Sequence, residues 1–349
     1  MSAVPVLSAV LATGLALLGL PQAARADAPP AAGERSSQAP ARFGIYTARL
    51  DGSAMAPLLT DNDREMTHPR LSPEGTRVAL TRYNRKGSDG RATEEQGYED
   101  TEILVVNLDG TGLRTVVASR PGVISANASW TPDGKSLIYV STDNASKSPE
   151  IRRIDLATRK VARMPTPGGL KASDPHWLGS QLVFPVKRSD ADVLWVMNSD
   201  GTRARQVTDP PEKRGLFSSG LYGDFDPRLS PDGTRVAFMR IAGGTTWRIL
   251  VLDLSTGKES QLTADEHIRQ GVMQWLPAWS GDGRLLLYMH VDRSRPGEVG
   301  LYTMTPDGRD RKMVPLPRGY LFGHGTFFPG DGSSPAARII FTATTNPAL

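Results

Sequence analysis

The chain has 349 residues, no cysteine and a formal charge of +4. Its length leaves room for two domains, but the lack of cysteine excludes disulfides, thiolate metal sites and a cysteine nucleophile. Arginines are scattered without a Lys/Arg run, which argues against nucleic acid as a partner. The 35 glycines and 27 prolines call either for many tight turns or for disorder.

In chain order, Val4 to Leu20 is apolar and rich in small residues, and Ala24-Arg25-Ala26 supplies an A-x-A cleavage site before Asp27, so residues 1–26 read as a signal peptide. The alternative is a single membrane anchor, but the run is at the short limit for a span, is broken by Pro5 and Gly14, and has no Lys or Arg before it. Residues 27–41, rich in Ala, Pro and Ser, read as a flexible linker. No later segment is apolar enough to span a membrane, so the expected location is outside the cytoplasm, periplasmic or extracellular.

From Ile45 onward two kinds of hairpin alternate. One kind is IYTARLDGSAMAPLLT from Ile45, EILVVNLDGTGLRTVV from Glu102, EIRRIDLATRKVARMP from Glu150, DVLWVMNSDGTRARQVT from Asp192, WRILVLDLSTGKESQLT from Trp247 and VGLYTMTPDGRDRKMVPL from Val299. The other is HPRLSPEGTRVALTRY from His68, NASWTPDGKSLIYVST from Asn127, DPHWLGSQLVFPVK from Asp174, DPRLSPDGTRVAFMR from Asp226, LPAWSGDGRLLLYMHV from Leu276 and HGTFFPGDGSSPAARIIFTA from His324. In Ser230-Pro231-Asp232-Gly233, proline fixes φ at the first corner of a type I turn and Gly233 can take the left-handed conformation that closes the hairpin. The alternating run from Arg235 to Met239 then reads as a strand. Turn glycines at 75, 134, 179, 233, 283 and 332 lie 59, 45, 54, 50 and 49 residues apart, a period that means propeller blades.

Two hairpins per repeat predict an all-β, six-bladed β-propeller of four-stranded blades over residues 42–345. The chain enters with a lone second hairpin at 45–60 and leaves with a lone first hairpin at 324–344, so the last blade is expected to be closed by the N- and C-terminal hairpins together, which removes two open sheet edges. The pattern P-x-[aromatic]-S-P-D-G-x-x-[apolar]-A-F, clearest at Pro227 to Phe238 and Pro69 to Leu80, resembles the PD40 (WD40-like) repeat of TolB-type β-propellers. The resemblance covers nearly all of 42–345. TolB itself carries an α/β domain ahead of its propeller, where this sequence has only a short linker. The same repeat builds the propellers of prolyl oligopeptidase-like peptidases and oligogalacturonate lyases, so the resemblance implies the fold and leaves the activity open.

In such a ring the turns inside hairpins share one face and the longer connections share the other. Rigid scaffolds carry recognition on variable loops, which points to the loop face and to Phe217, Tyr222, Tyr320 and Phe322 as partner-binding residues. Equivalent positions should also converge at the channel mouth on that face: His68, Asp174, Asp226 and His324, with Arg70, His176 and Arg228 two residues further on. Two histidines and a carboxylate can hold a divalent metal, and His68, His324 and Asp174 are the expected ligands. Local self-packing of the aromatics, and strand-start hydrogen bonds by the polar ring, are the competing structural readings. No H-E-x-x-H, G-x-S-x-G, P-loop, dinucleotide loop or EF-hand loop occurs, so no catalytic residue is assigned. The function expected is an exported, monomeric, non-catalytic binding propeller for a protein or an envelope polymer. The alternative is a metal-assisted lyase or hydrolase of acidic polysaccharide, with Arg70 and Arg228 on substrate carboxylates.

Overall fold

The computed structural model describes residues 43–83, 100–188, 191–210, 222–241, 247–264, 272–292, 295 and 298–345. The signal peptide and linker expected at 1–41 lie outside them, as does Phe217. The described chain forms 24 strands, from Phe43–Arg49 to Arg338–Thr345. They group as six antiparallel blades of four. No helix among the described residues is long and apolar enough to cross a membrane.

The repeated turn explains itself locally. In the fourth blade the Gly233 amide donates to the Ser230 carbonyl at 2.8 Å and the Ser230 amide to the Arg235 carbonyl at 2.8 Å. Ser230 Oγ donates to Asp232 Oδ1 and accepts from the Arg235 amide at 2.9 Å, so serine and aspartate satisfy the groups that the reversal strands. Gly233 has φ 71°. In the sixth blade the left-handed glycine is Gly330, at φ 78°, not the expected Gly332, because the Asp331 amide closes the turn on the Phe328 carbonyl.

The strand from Arg235 to Ile241 does not alternate between core and solvent: Val236 to Ile241 are all buried. Each blade is sandwiched between two others, so both of its faces are covered. The side chains between blades form separate apolar clusters, such as Ala79, Ile103, Trp130 and Tyr139 between the first and second blades. Ile45 and Ile340 of the last blade pack with Val78, Leu80 and Leu104 of the first. The last blade combines both chain ends, in the order Ala56–Asp61, Phe43–Arg49, Arg338–Thr345, Tyr320–Phe327. Its central pair runs in register from Phe43 opposite Thr344 to Arg49 opposite Arg338. The ring therefore closes through side-chain packing, while the strand ladders stay within blades. Among the described residues one strand pairing departs from that rule: Asp192 and Gly223 pair in parallel and join the third and fourth blades. Gly223 has φ 120°, and a β-carbon there would lie 2.3 Å from the Asp192 amide nitrogen, so glycine is required by both conformation and space.

Candidate functional site: a plugged central funnel

The innermost strand of a blade slips register at one place, between Thr67 and Arg70, Ala126 and Ser129, Phe225 and Arg228, Trp275 and Ala278, and Gly323 and Thr326. At each of these bulges, and at Asp174 in the third blade, a non-glycine residue adopts positive φ: His68 51°, Asn127 54°, Asp174 33°, Asp226 49°, Leu276 58° and His324 25°. A left-handed non-glycine residue costs about 1–2 kcal/mol, and Asn and Asp tolerate it best. Leu276 takes it without any polar side chain, so the conformation belongs to the propeller and not to a particular ligand. Its effect is to aim side chains from every blade at the axis. All six residues of this ring are buried, and together they plug the throat.

Within the plug, the His68 and His324 rings lie 3.7 Å apart between centroids. Thr67 Oγ1 sits 3.1 Å from His68 Nδ1 and 2.8 Å from His324 Nδ1. One ligand atom each from His68, Asp226 and His324 falls within 4.8 Å of the others. The carboxylate that joins the two histidines is thus Asp226, not the expected Asp174. Asp174 instead faces Arg228, with Oδ2 at 3.6 Å from Nη1, and Arg228 Nη2 is 3.7 Å from Asp226 Oδ1.

Burial pushes the His68 imidazole well below its usual value, helped by His324 and Arg70. Burial and Arg70 do the same to His324 and hold His176 down to about 3, so all three rings are neutral near pH 7. Burial and the neighbouring Asp226 push Asp174 well up, and burial pushes Asp226 up too. The two adjoining buried carboxyls therefore share the plug with two guanidinium groups, Arg228 at 3.6 and 3.7 Å and Arg70, whose charge opposes the rise.

One layer outward, two positions along each inner strand, stand Arg70, Ser129, His176, Arg228, Ala278 and Thr326. They form the floor of a funnel of about 420 Å³ whose rim is made by Pro73, Pro132, Gly179, Pro231, Gly281 and Pro329. These are residues of the hairpin turns. The described funnel therefore opens on the turn face, opposite to the loop face expected from sequence, because Arg70 and its counterparts lie nearer the end of the inner strand than its start and the buried ring closes the way behind them. No aspartate or glutamate lines the funnel.

Each arginine is held by its backbone. Trp130 Nε1 of the second blade donates to the Arg70 carbonyl at 2.8 Å, and Trp279 Nε1 of the fifth to the Arg228 carbonyl at 2.9 Å. Arg77 and Arg235 cover these tryptophans at 4.6 and 4.7 Å from the ring centres, a cation–π pairing. The guanidinium hydrogen bonds of Arg70 and Arg228 among the described residues go only to the carbonyls of Pro69 and Pro227. His176 Nδ1 accepts from the Leu229 amide at 3.1 Å, which puts the proton of the neutral ring on Nε2.

Of the aromatic residues expected on the loop face, Tyr222 and Phe322 are buried. Phe322 meets Phe341 edge-on at 5.6 Å, and Tyr320 lies 5.7 Å from Tyr46. They pack the ends of blades instead of presenting a surface. Sequence reasoning missed Thr67 and the two tryptophans; the signal available was a tryptophan at the same place in N-A-S-W and P-A-W.

Six four-stranded blades around a plugged funnel define a six-bladed β-propeller. The chain matches the TolB beta propeller domain family (PD40) over residues 32–321, and it belongs to that family. It is 30% identical over 208 residues to a TolB homolog of Chlorobium luteolum, which is 59% of this chain and 42% of the relative. It is 32% identical over 124 residues to the Tol-Pal system protein TolB of Anaeromyxobacter dehalogenans, 34% of this chain and 27% of that one. The matched stretches thus span less than half of these relatives. The crystal structure of TolB from Acinetobacter baumannii superposes with a TM-score of 0.57 at 17% identity, covering 88% of this chain and 65% of that one, a likeness of fold.

Proposed function

We propose that this chain is an exported, non-catalytic binding propeller that takes a protein partner at the turn-face funnel. The observation that carries the reading is the funnel itself: every blade contributes one side chain to its floor, and two of those side chains are arginines whose guanidinium hydrogen bonds among the described residues go only to backbone carbonyls, Arg228 also lying 3.6 and 3.7 Å from Asp174 and Asp226. A concave, mostly apolar site with a few convergent polar groups is the ordinary form of a binding pocket. Export rests on the sequence of residues 1–26, and a protein partner is consistent with the name of the relative in the Tol-Pal system. A photocrosslinking side chain placed at Pro132, on the funnel rim, should capture one defined protein from cell-envelope fractions. The same group at Asp143, in the connection between Ser136–Ser141 and Glu150–Asp155 on the opposite face, should not. Capture only from Asp143 would move the site to the loop face.

The His68–Asp226–His324 group favours a second reading, a divalent metal serving a lyase or hydrolase of acidic polysaccharide. Nearby guanidinium charge opposes it, because a dication would enter beside Arg70 and Arg228. Stoichiometric zinc or manganese retained through purification in metal-free buffer would reverse that preference.

A further inference from the structure

We propose that the funnel is a receptor for the free C-terminal carboxylate of a peptide chain, clamped between Arg70 and Arg228. This rests on the protein-binding reading above and names the chemical group recognised.

Arg70 and Arg228 come from the first and fourth blades of six and so face each other across the axis. With two guanidinium groups in the floor and no acidic residue among the described lining residues, the funnel presents positive charge to whatever enters it, which suits a carboxylate and not a cation. Guanidinium forks bind carboxylates with paired hydrogen bonds. His176 Nε2–H supplies a third donor from the third blade. The ligand must enter end-on, because the ring of His68, Asn127, Asp174, Asp226, Leu276 and His324 behind the arginines is buried. A peptide C-terminus places its carboxylate at the tip of the chain, whereas a polyuronate carries carboxylates along its length. Trp177, Pro132, Pro231 and Pro329 on the wall offer apolar surface to the last side chains of a peptide.

The test uses the whole protein and two peptide pools of randomised tetrapeptides, acetylated at the N-terminus, one with free C-terminal acids and one amidated, at millimolar total concentration. The readout is the set of indole N–H resonances. Trp130, Trp177 and Trp279 line the funnel, while Trp195, Trp247 and Trp275 serve as internal references. The free-acid pool should shift the three funnel indoles and leave the references in place, and the amidated pool should shift none. Arg70→Gln and Arg228→Gln should each weaken the response about tenfold or more, as expected for loss of a charged hydrogen bond, with Arg70→Lys only partly restoring it. Equal shifts from both pools, no shift from either, or shifts produced by a digalacturonate and not by the acid pool would each overturn the proposal. The acid-against-amide comparison needs no variant, so a misfolded arginine variant does not decide the outcome. If Pro132 still crosslinks a protein while both pools fail, the carboxylate assignment falls and the binding reading stands.

Discussion

Asp192→Asn gives the sharpest physical test of the fold. Asp192 begins the strand Asp192–Asn198 at the seam with Gly223 and is buried. Burial raises its carboxyl to about 6 against an ordinary 3.8, with Lys187 partly offsetting and Asp224 adding to the rise. A folded pKa above the unfolded one means that the native state holds more protons, so stability is lost as pH rises from about 4 through about 6. At 1.36 kcal/mol per pKa unit the loss is about 3 kcal/mol. Asparagine keeps the shape and cannot ionise. The advantage of the variant over wild type should therefore grow by about 2.5 kcal/mol between pH 4, where the unfolded carboxyl is already partly ionised, and pH 8, whatever its offset at pH 4 from the altered Lys187 contact, which lies at 3.4 Å. Urea denaturation of both proteins at the two pH values measures this. A difference that is the same at both within about 1 kcal/mol would show that Asp192 is not held ionised against its burial and would refute the argument.

Gly223→Ala should cost more than about 3 kcal/mol or abolish folding, since it combines a glycine-only conformation with a 2.3 Å clash on the Asp192 backbone; a melt within a few degrees of wild type would contradict the seam. Trp279→Phe removes the bond to the Arg228 carbonyl and should lower stability by about 1–3 kcal/mol by leaving a buried acceptor unpaired, read by denaturant titration; an unchanged midpoint would mean the indole bond is not a staple. Truncation after Pro329 deletes the strand Arg338–Thr345, which pairs on both sides, and strips out fully buried Ile339, Ile340 and Phe341, about 1.5–3 kcal/mol each. The product should aggregate without a cooperative melt, and a soluble two-state protein would show that the chain ends do not hold the ring.

The fold was legible because each repeat carries its own turn chemistry: Ser-Pro-Asp-Gly-Thr-Arg fixes a reversal whatever surrounds it, and the spacing of its copies counts the blades. That His68, Asp174, Asp226 and His324 occupy equivalent places in their blades was legible from repeat phase alone. Other features depended on distances that phase does not contain. Whether Asp174 or Asp226 joins the histidines is a matter of a few ångströms between side chains. The aromatic residues Tyr222 and Phe322 were misread because a loop aromatic and a blade-end aromatic have the same composition, and only contact with Phe341 or the core separates them. Repeat phase also does not tell which face the described funnel opens on, because a strand pattern gives the sequence of side chains along the axis but not where the buried ring sits.

That ring also explains how one fold can carry different recognition without losing stability. The left-handed bulge is built by backbone geometry in every blade, whether the residue is His68, Asn127, Asp174, Asp226, Leu276 or His324. Substitution at the five polar positions changes the lining of the axis without removing a member of the apolar clusters between blades, whereas Leu276 belongs to one of those clusters. The two residues that impose charge, Arg70 and Arg228, are fixed by tryptophans donated from the following blades. Position of the guanidinium is thus inherited from inter-blade packing, and its chemistry from a single codon in each repeat. The first and fourth copies carry arginine at this position, and the other four carry Ser129, His176, Ala278 and Thr326. The result is one charged diameter across an otherwise small or neutral floor, an asymmetry that ring assembly does not require and that a ligand with one negative end would use.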